Sequence, residues 1–258
     1  MKGVQSYFEM TLFIGKMIYF FLSTITSILG SLIGIGGGVI LRPMLKFFNE
    51  TSLTAAALST FTVFSMALLS SYKYGKQNLI DYKAGLKIGI LIIPASFIGT
   101  RAIYLVPEKA INVIYVVILF ILICFMIFRK KIKKVKINKF LKIFLVFMIG
   151  FGAGILGIGG GPFLIPLLLF VFHIDEKRLF GTSVFIVLLT SFLSLVQHAY
   201  EFNIDYMKAF PLAIGAFLGS VVGTGINKKV SSDVVIRIYN IVMILLFLGG
   251  IFIVFSKK

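Results

Sequence analysis

Gly34-Ile35-Gly36-Gly37-Gly38-Val39-Ile40-Leu41-Arg42-Pro43 stands in the first half of the chain, and Gly157-Ile158-Gly159-Gly160-Gly161-Pro162-Phe163-Leu164-Ile165-Pro166 stands in the second. Both stretches lie inside apolar sequence. Each glycine costs roughly 1 kcal/mol against alanine in a helix interior, so four within five positions unwind the helix that carries them. Unwound backbone at membrane depth is tolerated only where protein buries it or where it lines a wet cavity. Interrupted apolar helices at corresponding places in two halves are the sequence signature of a solute site between them.

The surrounding composition supports a membrane setting. Of 258 residues, 59% are hydrophobic and 14% are charged, where a soluble domain carries about 25% charge; the mean hydropathy is +1.05. The apolar runs are continuous rather than alternating, which selects helices over a barrel. A net charge of +17 on a soluble protein would suggest nucleic acid. Here the cations crowd the ends of apolar runs, as the positive-inside rule expects, and no nucleic-acid partner is expected. Cys124, the sole cysteine, lies within an apolar run and excludes an internal disulfide. The stretch Met1 to Met10 lacks a short apolar core with a cleavage site, so insertion by the first span is expected.

Two sets of runs emerge. The first comprises about 11–33, 39–48, 53–71, 84–105 and 110–128; the second comprises about 143–156, 163–172, 179–198, 207–225 and 234–255. Eight cations and no acid lie between Arg129 and Lys142. The domains are therefore a first transmembrane repeat (1–128), a basic cytoplasmic linker (129–142) and a second transmembrane repeat (143–258). A shift of 123 residues superposes Gly34–Pro43 on Gly157–Pro166 and Ser59-Thr60 on Thr182-Ser183. A shift of 124 superposes Ile80-Asp81-Tyr82 on Ile204-Asp205-Tyr206, Gly99-Thr100 on Gly223-Thr224, and Tyr115 on Tyr239. Anchors at nearly one offset mark an internal duplication.

The fold class is all-α and polytopic, with about eight full spans plus two short or re-entrant segments. The short runs leave the parity open. Ten helical residues reach about 15 Å, half the hydrocarbon core. If each continues its broken helix, the halves are parallel; if each turns back, they are inverted. Loop charge favours inversion. The Asp81 loop carries Lys73, Lys76, Lys83 and Lys87, while the equivalent Asp205 loop carries Glu201 and Lys208; Lys228, Lys229 and Arg237 enrich a different second-half loop. Lys257 and Lys258 vote the other way.

The repeated GxGGG followed by a proline, once in each half, resembles the sulfite exporter TauE/SafE family. The resemblance covers essentially the whole chain, including the basic central loop. It implies a multi-pass permease of the cell (inner) membrane for small sulfur-containing anions such as sulfite or an organosulfonate. Independently of it, each break is followed by a short apolar helix whose first N–H groups favour an anion. Gly34, Gly36, Gly37, Gly38, Gly157, Gly159, Gly160 and Gly161 are thus candidate substrate-binding positions. Close helix packing is the structural alternative. Pro162 fits a first helical turn. Arg42, which has Ile165 as its counterpart, either forks onto an oxyanion or snorkels to headgroups with Lys46. Ser59, Thr60, Thr182 and Ser183 could donate to the solute or bond their own helix carbonyls. Gln197 and His198 are candidate path residues, His198 with a proton role.

Carboxylates fall outside the span interiors, His-Glu-x-x-His is missing, and no Gly-Lys-Ser or Gly-Lys-Thr follows a glycine run. Neither an enzyme, a metal site, a cofactor nor direct use of ATP is expected. Asp81 and Asp205 read as N-caps. The function expected is secondary transport of a small anion by alternating access, with a proton or sodium as coupling ion. A permease for another metabolite and a non-transporting accessory subunit are the rivals. Oligomeric state is left open.

Overall fold

A computed structural model describes residues 2–102, 105–128, 138–156, 159–201 and 204–256; among these residues it is helical, with no strand. The first half comprises α1 (Lys2–Ile33), α2 (Gly38–Phe47), α3 (Ser52–Lys76), α4 (Tyr82–Ala102) and α5 (Glu108–Ile127). The second comprises α6 (Lys139–Leu156), α7 (Gly161–Pro166) with a π-helical turn Leu167–Val171, α8 (Glu176–Glu201), α9 (Tyr206–Lys229) and α10 (Ser232–Ser256). Seven helices are long and apolar enough to cross a membrane, and α5 adds the shorter apolar stretch Lys109–Cys124. Large apolar side chains such as Ile90, Phe210 and Leu245 stay exposed on the outside, as lipid contact requires. Most of the basic run, residues 129–137, lies outside the described residues.

Helix starts follow the local chemistry. Thr51 accepts from the Thr54 N–H at 3.1 Å, Asp81 from Ala84 at 3.0 Å and Asp205 from Met207 at 3.1 Å. The two aspartates are therefore the expected N-caps.

At the first break the chain reverses. Gly37 comes to lie against the Thr26 carbonyl, more than one turn back along α1. Beyond α2, Glu50 accepts from the Tyr19 hydroxyl at 2.8 Å. Helix α2 therefore runs antiparallel to α1 and returns to the face from which α1 entered. Helix α3 then crosses in the direction of α1: its far end places the Tyr74 hydroxyl 2.7 Å from the Ser31 carbonyl.

Close helix pairs fix the relation of the halves. Along α1 and α9, Gly215, Gly219 and Gly223 meet Phe20, Thr24 and Ile28 in turn, so these helices run parallel. Along α4 and α6, Gly150 meets Ile92 and Gly154 meets Ser96 and Thr100, again in parallel. Helix α4 runs back from the Ser31 end towards the Tyr19 face, since the Asp81 N–H at its start donates to Thr182 at 2.9 Å and Ser96 near its end meets Ser194 at 3.3 Å. Equivalent helices α1 and α6 thus point in opposite directions, as do α3 and α8. The repeats are inverted.

The halves also interlock. Helix α4 packs on α6 and α8 of the other half, and α9 packs on α1 and α3, while α3 meets α8 and α5 meets α10 across the pseudo-two-fold relation. Each half's fourth spanning element therefore closes the other half. One face gathers Lys73, Lys76, Lys83, Lys87, Lys139, Lys142, Lys228 and Lys229; the opposite face holds Tyr19, Glu50, Asp205 and Lys208, where Lys208 bridges Glu50 at 2.5 Å.

Candidate functional site at the two glycine breaks

The two breaks touch. A side chain on Gly161 would overlap the Ile35 carbonyl, so the start of α7 rests directly on the first break. Gly34, Gly36, Gly37 and Gly38 are buried, as are Gly159, Gly160 and Gly161; Gly157 lies outside the described residues. Positive φ occurs at Gly34 (75°), Gly36 (74°), Gly159 (69°) and Gly160 (78°), a region costly for residues with a Cβ. Gly37 and Gly160 are the N-caps of α2 and α7, and Pro162 sits in the first turn as its missing N–H permits.

The prolines that close the two motifs have a matching consequence. Pro43 within α2 cannot donate to the Val39 carbonyl four residues earlier, and Pro166 cannot donate to the Pro162 carbonyl. Both carbonyls are buried, yet each has a donor. The Tyr115 hydroxyl, from α5, lies 2.9 Å from Val39 O, and the Tyr239 hydroxyl, from α10, lies 2.8 Å from Pro162 O. Proline and tyrosine therefore act as one unit in each half. The sequence displayed both pairs as repeat anchors, but linking them required the tertiary contact.

The four matched positions are buried, and the hydroxyls of Ser59, Thr182 and Ser183 engage backbone. Ser183 donates to Gly34 O at 2.6 Å, fastening α8 to the other half's break, and Thr182 accepts from the Asp81 N–H. Ser59 donates to its own Ala56 carbonyl at 3.0 Å; Thr60 is 1% exposed. Thr190 donates to Gly159 O at 3.0 Å, a break contact that sequence reading passed over because its counterpart is Ala67.

Arg42 is only 4% exposed. Its Nη1 approaches Ile155 O at 3.5 Å, at the C-terminal end of α6, where a cation complements the helix dipole. His198, 1% exposed on α8, and Tyr115 both lie within electrostatic reach of this guanidinium. Lys46 donates to Asn112 Oδ1 at 3.0 Å and to Ser52 Oγ at 2.7 Å. Arg42, Lys46, Asn112 and Tyr115 line a cavity of about 20 Å³, room for about a single water. Gln197 is 4% exposed, and neither atom of its amide has a hydrogen-bond partner among the described residues.

This cluster exists on one side only. At the equivalent positions Arg42 becomes Ile165, Lys46 Leu169, Asn112 Ile236, Gln197 Tyr74 and His198 Gly75. The frame is two-fold, but its chemistry is not. Among the described residues no three His, Cys, Asp or Glu side chains converge as metal ligands.

Residues 19–252 match the family described as Sulfite exporter TauE/SafE. "Probable membrane transporter protein YunE" of Bacillus subtilis is 28% identical over 254 residues, covering 87% of this chain and 93% of that protein. A "Probable membrane transporter protein" of Methanocaldococcus jannaschii is 30% identical over 226 residues, covering 80% and 84%. One of the same description from Xylella fastidiosa is 27% identical over 97 residues, 37% of each chain. No solved structure matches.

Proposed function

Because this chain belongs to the sulfite exporter TauE/SafE family and is a multi-pass membrane transporter, we propose that its cargo is a small anion, a sulfur oxyanion or organosulfonate, taken at the junction of the two breaks. The observation that carries this reading is Arg42, a buried guanidinium beside the second break within a polar cluster that the other half replaces by apolar residues. An Arg at membrane depth costs about 2.5 kcal/mol or more, so its retention argues for use. Its planar fork suits two oxygens of a sulfonate or sulfite, and Gln197 offers an amide donor nearby in sequence to His198.

With the two breaks in contact, the space beside Arg42 admits little more than a water. Transport would separate the breaks and enlarge it, one bundle rocking against the other around the site. The hydroxyls of Ser59, Thr60, Thr182 and Ser183 would then turn to the solute. A proton, carried through His198, or sodium is the proposed coupling ion. The test is calorimetric binding of sulfite, sulfoacetate, taurine, sulfate and acetate to purified protein. A sulfur oxyanion should bind, and Arg42→Ala should weaken it about tenfold or more, the value of a charge-assisted hydrogen bond. Gly160→Leu, forced to φ 78°, should abolish it. A panel without a hit, or a hit indifferent to both changes, would overturn this reading in favour of another metabolite or an accessory role.

The lysine-rich face is proposed to be cytoplasmic, in the plasma membrane, with the 129–142 linker inside and both termini outside. Single-cysteine labelling should then find a Cys124→Ser protein carrying Asn138→Cys protected from an impermeant reagent in intact cells. Asn49→Cys in that background should react; the reverse pattern would refute the assignment.

A further inference from the structure

Away from the breaks, a cleft of about 570 Å³ opens between the N-terminal halves of α4 and α6 on the lysine-rich face. Lys87 lines it from α4, and Lys139 and Lys142 line it from α6; its walls include Ile90, Ile143 and Phe172. No acid lines it. Lys142 is half-buried, and its ammonium lies 5.6 Å from the Phe172 ring centroid, which holds it over the cleft. Ile90 and Ile143 are 71% and 40% exposed on the outer, lipid-facing surface.

The duplication does not account for this chemistry. At the equivalent positions Lys87 becomes Pro211 and Lys142 becomes Tyr19, with only Lys16 matching Lys139. Tyr19 donates to Glu50, which also pairs with Lys208, so that counterpart holds a neutralised ion pair where the charged lining of this cleft is all lysine. A water-soluble anion has no use for apolar walls open to lipid. A phospholipid uses both parts: ammonium groups at helix ends meet its phosphate, and the walls below meet its acyl chain.

We propose that this cleft binds the phosphodiester headgroup of an anionic phospholipid, with an acyl chain along Ile90 and Ile143. Since α4 belongs to the first half and α6 to the second, the lipid joins the two halves at their seam. It thereby stabilises the arrangement in which α4 and α6 are closed together. The site is independent of the cargo.

Native mass spectrometry of the purified full chain with phosphatidylglycerol and phosphatidylcholine tests it. Wild type should retain phosphatidylglycerol at least tenfold better, because each lysine near a headgroup contributes on the order of a fivefold preference. The triple variant Lys87→Gln, Lys139→Gln, Lys142→Gln should lose that preference. Lys177→Gln, Lys228→Gln, Lys229→Gln, on the same face but outside the cleft, should keep it. Lys142→Gln alone, a change at a half-exposed position that folding tolerates, should reduce it severalfold. Inorganic phosphate in excess should not displace the lipid. Equal retention of the two lipids, equal loss in both triple variants, or displacement by phosphate would overturn the proposal.

Discussion

Gly161→Ala should abolish the folded protein or lower its melting temperature drastically. The added methyl group would occupy the position of the Ile35 carbonyl, and both partners are backbone, so no side chain can move aside. Overpacking a well-filled core costs about 1–3 kcal/mol when rotamers can adjust; here the cost should exceed the upper value. The effect should reach transport as well as stability, because the contact that is lost is the junction of the two breaks. Gly152→Ala on α6 provides the comparison. Nothing lies within 4 Å of its added Cβ, and it should melt at or slightly above wild type, since alanine favours a helix by about 1 kcal/mol. Purification in detergent followed by thermal unfolding separates the two. A Gly161→Ala protein that melts like Gly152→Ala would mean that the breaks do not meet.

Tyr115→Phe should cost about 1–3 kcal/mol, the penalty of leaving a buried carbonyl without a donor. The reason lies in Pro43. With no N–H at that position, Val39 O depends on the Tyr115 hydroxyl at 2.9 Å. Pro43→Ala returns a donor to the helix, so Tyr115→Phe should be much less harmful in a Pro43→Ala background. The two changes should therefore be non-additive by about 1 kcal/mol or more in a double-mutant cycle. Tyr239→Phe with Pro166→Ala should behave alike, since the 2.8 Å contact to Pro162 O has the same origin. Additive losses would show that the tyrosines stabilise by packing alone. The same pairing explains why each glycine run is followed by a proline: the helix after the break is loosened one turn in, and an outer helix secures it.

Much of the site's frame was legible because local rules govern it. Asp81 and Asp205 stand directly before apolar runs and cap them. Four of the break glycines, Gly34, Gly36, Gly159 and Gly160, fall where φ is positive. Legibility ended where a side chain's partner was remote in sequence. Ser183 pairs with Gly34 over 149 positions and Arg42 approaches Ile155 over 113, and no spacing rule reports such contacts. Asn112 escaped notice for the same reason, and Lys46 read only as a companion of Arg42 at the headgroups: alone, each is a polar residue near a helix end. Only their convergence with Arg42 and Tyr115 shows the one-sided cluster.

The sequence by itself determined that the protein is helical, membrane-embedded and duplicated, with each half interrupted at its glycines. Apolar length, backbone cost and repeat spacing are properties of the chain that do not depend on what packs against what. Direction was decided only by the tertiary structure. A ten-residue helix after a break satisfies its own hydrogen bonds equally well whether it continues onward or turns back. The choice rests on Gly37 lying against Thr26 and on Tyr19 reaching Glu50. Those contacts reverse the chain, make the crossings of each half odd, and so set the two halves in opposite orientations.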